Sequence, residues 1–165
     1  MPQPKVPPTE RINSSFKKLT SIAPELHSAA KELSKTVKAL SEALEPLNLG
    51  VSAWHTVAGN EDENGYYWSR SIGYTQVRNE WGIALKQASG SKDDNEHDEQ
   101  VWEFSKAPRW MVIESISKLP ELFDTLIERV TDTTEKLKAR TEQAKELVAA
   151  VKAAAAELAV AKAEE

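Results

Sequence analysis

A chain of 165 residues has room for one domain around a modest core. Charged residues make up 28% of it and the net charge is −5, while no run approaches the roughly 20 apolar residues that cross a bilayer, so no membrane association is expected. Cysteine is absent, which excludes disulfides, thiolate nucleophiles and thiolate metal sites.

Residues 1–8 carry prolines at 2, 4, 7 and 8 and predict an extended, disordered tail. They lack the apolar stretch of a secretory signal peptide, so a cytoplasmic location is expected. From Ile12 an unbroken heptad begins. Ile12, Phe16, Leu19, Ala23, Leu26, Ala30, Leu33, Val37, Leu40, Leu44 and Leu47 alternate spacings of four and three, which predicts a coiled-coil-like helix packing along one narrow stripe. Pro24 interrupts the pattern. Inside a helix a proline costs roughly 3 kcal/mol; in a first turn it costs little, because the N–H groups there have no intrahelical partner. The reading is a short helix over about 9–21 and a longer one over about 23–45, or a single kinked helix, closed by Pro46 and Gly50.

Residues 50–106 lose the helical period and become rich in aromatic and β-branched side chains. They predict a four-stranded antiparallel meander, with strands over about 50–58, 66–77, 81–88 and 100–106 and polar loops at 59–65 and 89–99. Alternation places Tyr66, Trp68, Ile72 and Tyr74 on one face with Trp81, Ile83 and Leu85, and puts Trp54 and Tyr67 opposite them. Either the helix over 24–45 covers that second face or the face is an exposed aromatic patch. The meander is also the acidic part of the chain. Its segment 48–107 has a net charge of −5, against +2 for 1–47 and −2 for 108–165, and a nucleic-acid-binding sheet would normally be basic.

Pro108 opens the second helical region. Val112, Ile116, Leu119, Phe123, Leu126 and Val130 continue the spacing of four and three, widened by Trp110, Met111, Ile113, Leu122 and Ile127 into the broad stripe of a helix packed on a sheet. Ser117 to Leu122 repeats the Ser-x-x-Pro-Glu-Leu pattern of Ser21 to Leu26, a plausible helix restart with a serine cap and a proline in the first turn. From Thr131 the seam narrows to Leu137, Thr141, Ala144, Val148, Val151, Ala155 and Leu158, and eleven of the last 27 residues are alanine. Such a helix overhangs a small sheet and needs a partner: the first heptad helix or another copy of the chain.

Little of this carries chemistry. His27, His55 and His97 fit no catalytic or metal-ligand spacing. The acidic stretch 91–99 lacks the glycine and the closing glutamate of an EF-hand and reads as a solvated loop. The glycines form no phosphate cradle, and the lysine ridge of Lys31, Lys35 and Lys38 is diluted by glutamates. No cofactor, metal, nucleic acid or catalytic group is therefore expected. The fold class is α+β: N-terminal helices, a β-meander, a packing helix closing a domain over 9–130, and an Ala/Lys/Glu-rich helical arm over 131–165. The expected function is assembly with itself or another helical protein through the seams Phe16, Leu19, Leu26, Leu33, Val37, Leu40 and Leu44, and Leu137, Val148, Val151 and Leu158. The aromatic sheet with its acidic loops is expected to present the recognition surface, with Trp54, Tyr67, Trp68, Tyr74, Trp81 and Trp110 as the candidate contact residues. The alternative is a small-molecule or peptide pocket between sheet and helix, lined by Trp68, Tyr74, Trp81 and Trp110.

Overall fold

The computed structural model describes residues 7–92 and 97–163. The chain runs from helix α1 (Pro8–Leu44) through strands β1 (Ala53–Glu61), β2 (Tyr66–Val77), β3 (Glu80–Ser91) and β4 (His97–Glu103) to helices α2 (Arg109–Ser115) and α3 (Leu119–Ala163). The strands form an antiparallel meander in the order β1-β2-β3-β4, giving the expected α+β fold.

The N-terminal region is one continuous helix of 37 residues with Pro24 inside it, not two. Ser21 does not cap a restart; its hydroxyl donates back to the Lys18 carbonyl. Pro24 offers no N–H to the Thr20 carbonyl one turn earlier, and this turn is exposed, so water can take that carbonyl. The second copy of the motif restarts a helix as expected, but Ser117 caps it no more than Ser21 does the first, since its hydroxyl donates back to the Glu114 carbonyl. A 3-10 turn over Ile116–Lys118 ends α2, and α3 begins with Pro120 in its first turn. α1 closes through a 3-10 turn over Glu45–Leu47 and a left-handed Asn48 (φ 44°).

Strand register explains where the core sits. Ala53, Tyr74 and Ile83 lie side by side across β1, β2 and β3, as do Ile72, Leu85 and Trp102 across β2, β3 and β4. These residues share one face, and all the helices that pack do so there. Val37 and Leu44 from α1, Met111 from α2, Leu122 and Leu126 from α3, and Phe104 complete a single cluster. A β-bulge between Thr56 and Ala58 moves the register of β1 by one, so Ala58 rather than Val57 stands opposite Arg70.

Strands β3 and β4 reach further into the polar stretch than expected, to Ser91 and back to His97, and β1 begins later, at Ala53. The pairs Ser89–Asp98 and Gly90–His97 form here because solvent on both sides lets a paired strand keep charged side chains. Residues 93–96 of the acidic stretch and residues 1–6 of the N-terminal tail lie outside the described residues. β4 pairs with β3 only up to Glu103 opposite Ala84. Beyond that point α1 takes over: Ser41 Oγ accepts the Ile83 N–H at 3.0 Å while donating to the Val37 carbonyl. The helix thus completes the ladder and locks its own second half against the sheet.

The β2–β3 connection is a two-residue turn, with Arg78 (φ 51°) and Asn79 (φ 69°) both left-handed, the requirement of a type I′ hairpin. Asparagine tolerates this conformation, but a long side chain pays roughly 1–2 kcal/mol for it. Arg78-Asn79→Asn-Gly is therefore expected to stabilise the protein by about 1 kcal/mol. A lower denaturation midpoint for that variant would mean that the Arg78 contact with Glu103, 3.8 Å in length, outweighs the turn strain.

Candidate interaction surfaces

The packed head ends well before the helices do. In α1 the seam is divided. Val37 and Leu44 are buried in the core and Leu33 and Leu40 are half-buried, whereas Phe16 (68% exposed), Leu19 (59%) and Leu26 face solvent. The heptad thus serves two purposes: its second half binds the sheet of its own chain, and only the first half is free. α3 divides in the same way. Leu122 and Leu126 are buried and Val130 packs on the core, while Leu137, Leu147, Val148 and Val151 are all exposed. Leu158 lies outside the residues whose side chains are described. α1 and α3 do not run along one another. At 1.5 Å per residue α3 is about 68 Å long.

The second sheet face carries no part of the core cluster. Its central strands present small residues: Ser69, Ser71, Gly73 and Thr75 on β2, and Ala84, Ala88 and Gly90 on β3, of which Ser71, Gly73, Ala84 and Ala88 are themselves buried, so it is mainly the larger side chains around them that reach solvent. The Trp54 ring lies over Gly73, so close that an added Cβ there would fall 2.3 Å from Trp54 Cε3. Lys86 Nζ sits 4.5 Å from the centroid of the same ring and pairs with Glu99 at 3.4 Å. Further along, Gly90 lies between Tyr67 and His97 in the register, and its missing side chain lets those two meet across β3. Tyr67 Oη and His97 Nδ1 are 2.6 Å apart, the phenol donating when Nδ1 carries no proton, and His97 Nε2 is 3.8 Å from Glu99. Trp54, Lys86, Glu99, His97 and Tyr67 therefore form one polar-aromatic band across the open face. Only the Tyr67 end of the series Glu99–His97–Tyr67 is hydrogen-bonded, since 3.8 Å between His97 Nε2 and Glu99 is too long for a hydrogen bond, and both of those residues are exposed to water.

On the core side of this same end of the sheet, Arg70 is clamped. Its guanidinium carbon lies 4.6 Å from the Trp68 centroid and 5.1 Å from that of Trp110, and Nη1 donates to Glu114 at 2.6 Å. Among the described residues the buried Nε has no hydrogen-bond partner. Arg70 and Glu114 tie α2 to the sheet, with both tryptophans left partly exposed. Tyr74 and Trp81 are elsewhere: Tyr74 is a core residue, stacked on half-buried Trp81 at 5.5 Å. Tyr74 stands six residues from Trp68 along β2, about 20 Å. The four aromatics of the pocket reading thus fall into two separate groups and line no common cavity. Burial, reinforced by the Glu45 carboxylate, pushes the Tyr74 phenol above its ordinary pKa. Two surface carboxyls move the other way. Glu103 is lowered chiefly by its hydrogen bond from Lys106, and Glu121 by that from Lys118.

Trp54 and Tyr67 are where alternation places them, on the face away from the core, and α1 does not cover that face. Arg70 and Glu114 carry no signal in the sequence, and Lys86, Glu99 and His97 carry none as single residues. The signal that finds them is positional: glycine at 73 and 90 in otherwise regular strands marks the places where a large neighbour must cross. His55, read as structural or as a binding residue, faces α3, with Nδ1 3.5 Å from Thr125 Oγ1. Among the described residues no three His, Asp or Glu side chains converge as metal ligands, and no helix is long and apolar enough to cross a membrane. No family model, no curated protein and no solved structure matches this chain.

Proposed function

We propose that this protein is a non-catalytic assembly module that joins to a second copy of itself through its helical arms and presents the open sheet face for recognition. The observation that carries this reading is the bare apolar seam on both arms. Phe16, Leu19 and Leu26 on α1 and Leu137, Val148 and Val151 on α3 recur at coiled-coil spacing, each more than half exposed among the described residues. Scattered exposed leucines need no explanation, but a stripe held over several turns does.

Light scattering on the intact chain at high micromolar concentration is the direct test, with a dimer or larger species expected. Leu19→Asp together with Leu26→Asp places charges on the seam without touching the core and should lower the mass to that of a monomer. Truncation after Thr133 should do the same. In both cases the head stays folded, which tryptophan emission can follow because all five tryptophans lie between positions 54 and 110. A strictly monomeric intact chain would refute the proposal.

A further inference from the structure

The flanks of the two seams say which arm meets which. On α3 the positions beside the seam carry Lys138, Lys145 and Lys152 along one side, and the other side begins with Arg140. On the free half of α1 the corresponding positions are Asn13, Thr20 and His27 on one side and Ser15, Ile22 and Ala29 on the other, with no carboxylate and no lysine or arginine. Its charged residues Glu10, Arg11, Lys17, Lys18 and Glu25 all lie on the far side of the helix.

Flanking charges set partner choice in paired helices. Two α3 arms in antiparallel contact would bring the lysine row against itself. In parallel contact Arg140 of each would face Lys145 of the other. Both arrangements oppose like charges, with only the neighbouring Glu142, 2.7 Å from Lys145, to relieve them. The free half of α1 imposes no such repulsion. We propose that the arm of α3 pairs antiparallel with the first half of α1 from a second copy of this chain. This inference rests on the self-association reading above.

The seam residues fit. In the antiparallel register that keeps every layer in step, Phe16 falls against Val151, Leu19 against Val148 and Leu26 against Thr141, a large side chain opposite a smaller one, with Ala23 against Ala144 as a close-approach layer between them. In the same register Ile22 and Leu147, exposed at 55% and 69% on the free chain, meet at the flank. The lysine row faces Asn13, Thr20 and His27, over which its aliphatic stems can lie. The exchange is reciprocal: each copy supplies one α1 half and one α3 arm, giving a closed two-fold dimer in which both seams are covered. Pairing two α1 halves would leave both α3 seams bare.

The absence of cysteine makes the test clean. Leu19→Cys and Val148→Cys are made in separate chains, one of them enlarged by a tag, then unfolded together, refolded and treated with a short bis-maleimide. The mixed crosslink is expected to dominate, with little product from either chain alone. Dominant Val148→Cys self-crosslinking would overturn the inference by showing α3–α3 pairing, and dominant Leu19→Cys self-crosslinking would overturn it by showing α1–α1 pairing. Light scattering on the same samples separates the two levels. A dimer with a self-crosslink removes only this inference, whereas a monomer without a crosslink removes the assembly reading as well.

Discussion

Leu122→Ala is expected to cost about 2–5 kcal/mol, whereas Leu147→Ala on the same helix is expected to change the stability of the head by less than about 0.5 kcal/mol. The residue type, the helix and the substitution are the same. The environments differ: Leu122 is 1% exposed among Ile72, Leu85 and Met111, and Leu147 is 69% exposed. Removing the first leaves a cavity that the sheet and two helices cannot collapse around. Removing the second takes away atoms that already face water and puts in the best helix former. Urea unfolding followed by tryptophan emission reads both, at a concentration low enough to keep the chain monomeric. Equal losses at the two positions would mean that the arm belongs to the core, and the division of the molecule into head and arms would fail.

Gly73→Val is expected to destabilise the head by about 1–3 kcal/mol. Intrinsic preference argues for the opposite sign, since glycine weakens a strand and valine is among its best formers. Sterics decide the outcome. A Cβ at position 73 would meet Trp54 Cε3 at 2.3 Å and the Ala53 carbonyl oxygen at 2.7 Å. The indole can swing away, at the loss of its contact with Lys86, but the carbonyl belongs to the paired strand and can move only by distorting the β1–β2 ladder. In a Trp54→Ala background the penalty should shrink without vanishing, because the carbonyl contact remains. A valine that raises the melting temperature would show that Trp54 does not lie over Gly73 in solution.

Several features were legible in the residues alone because they depend on local periodicity. The helices, the number of strands and the choice of the Tyr74–Ile83–Leu85 face all follow from spacings of two or of three and four, and the register reproduces them. The hairpin at Arg78-Asn79 was legible as a turn, though not as the strained type it adopts. The strand ends around Ser91 and His97 were not, since hydrophilic side chains disguise backbone that is paired. Pro24 misled because a proline in an exposed helix leaves a carbonyl that water can satisfy, so its local cost does not force a break.

The division of the heptad lay beyond any local pattern. Eleven seam positions look alike in the amino-acid order, yet Val37 and Leu44 close a core while Phe16 and Leu19 stand in solvent. Periodicity determines that a stripe is apolar; only the path of the chain in space determines what the stripe meets. The band of Trp54, Lys86, Glu99, His97 and Tyr67 has the same origin. Its members come from four strands and touch because the pairing of β1 through β4 lines them up and glycines at 73 and 90 clear the way. By itself the sequence determined the elements and the face of the sheet that is apolar, since each is a property of neighbours along the chain. Tertiary structure decided which face stays open, where the seams become free and which side chains meet, since those depend on residues that only folding brings together.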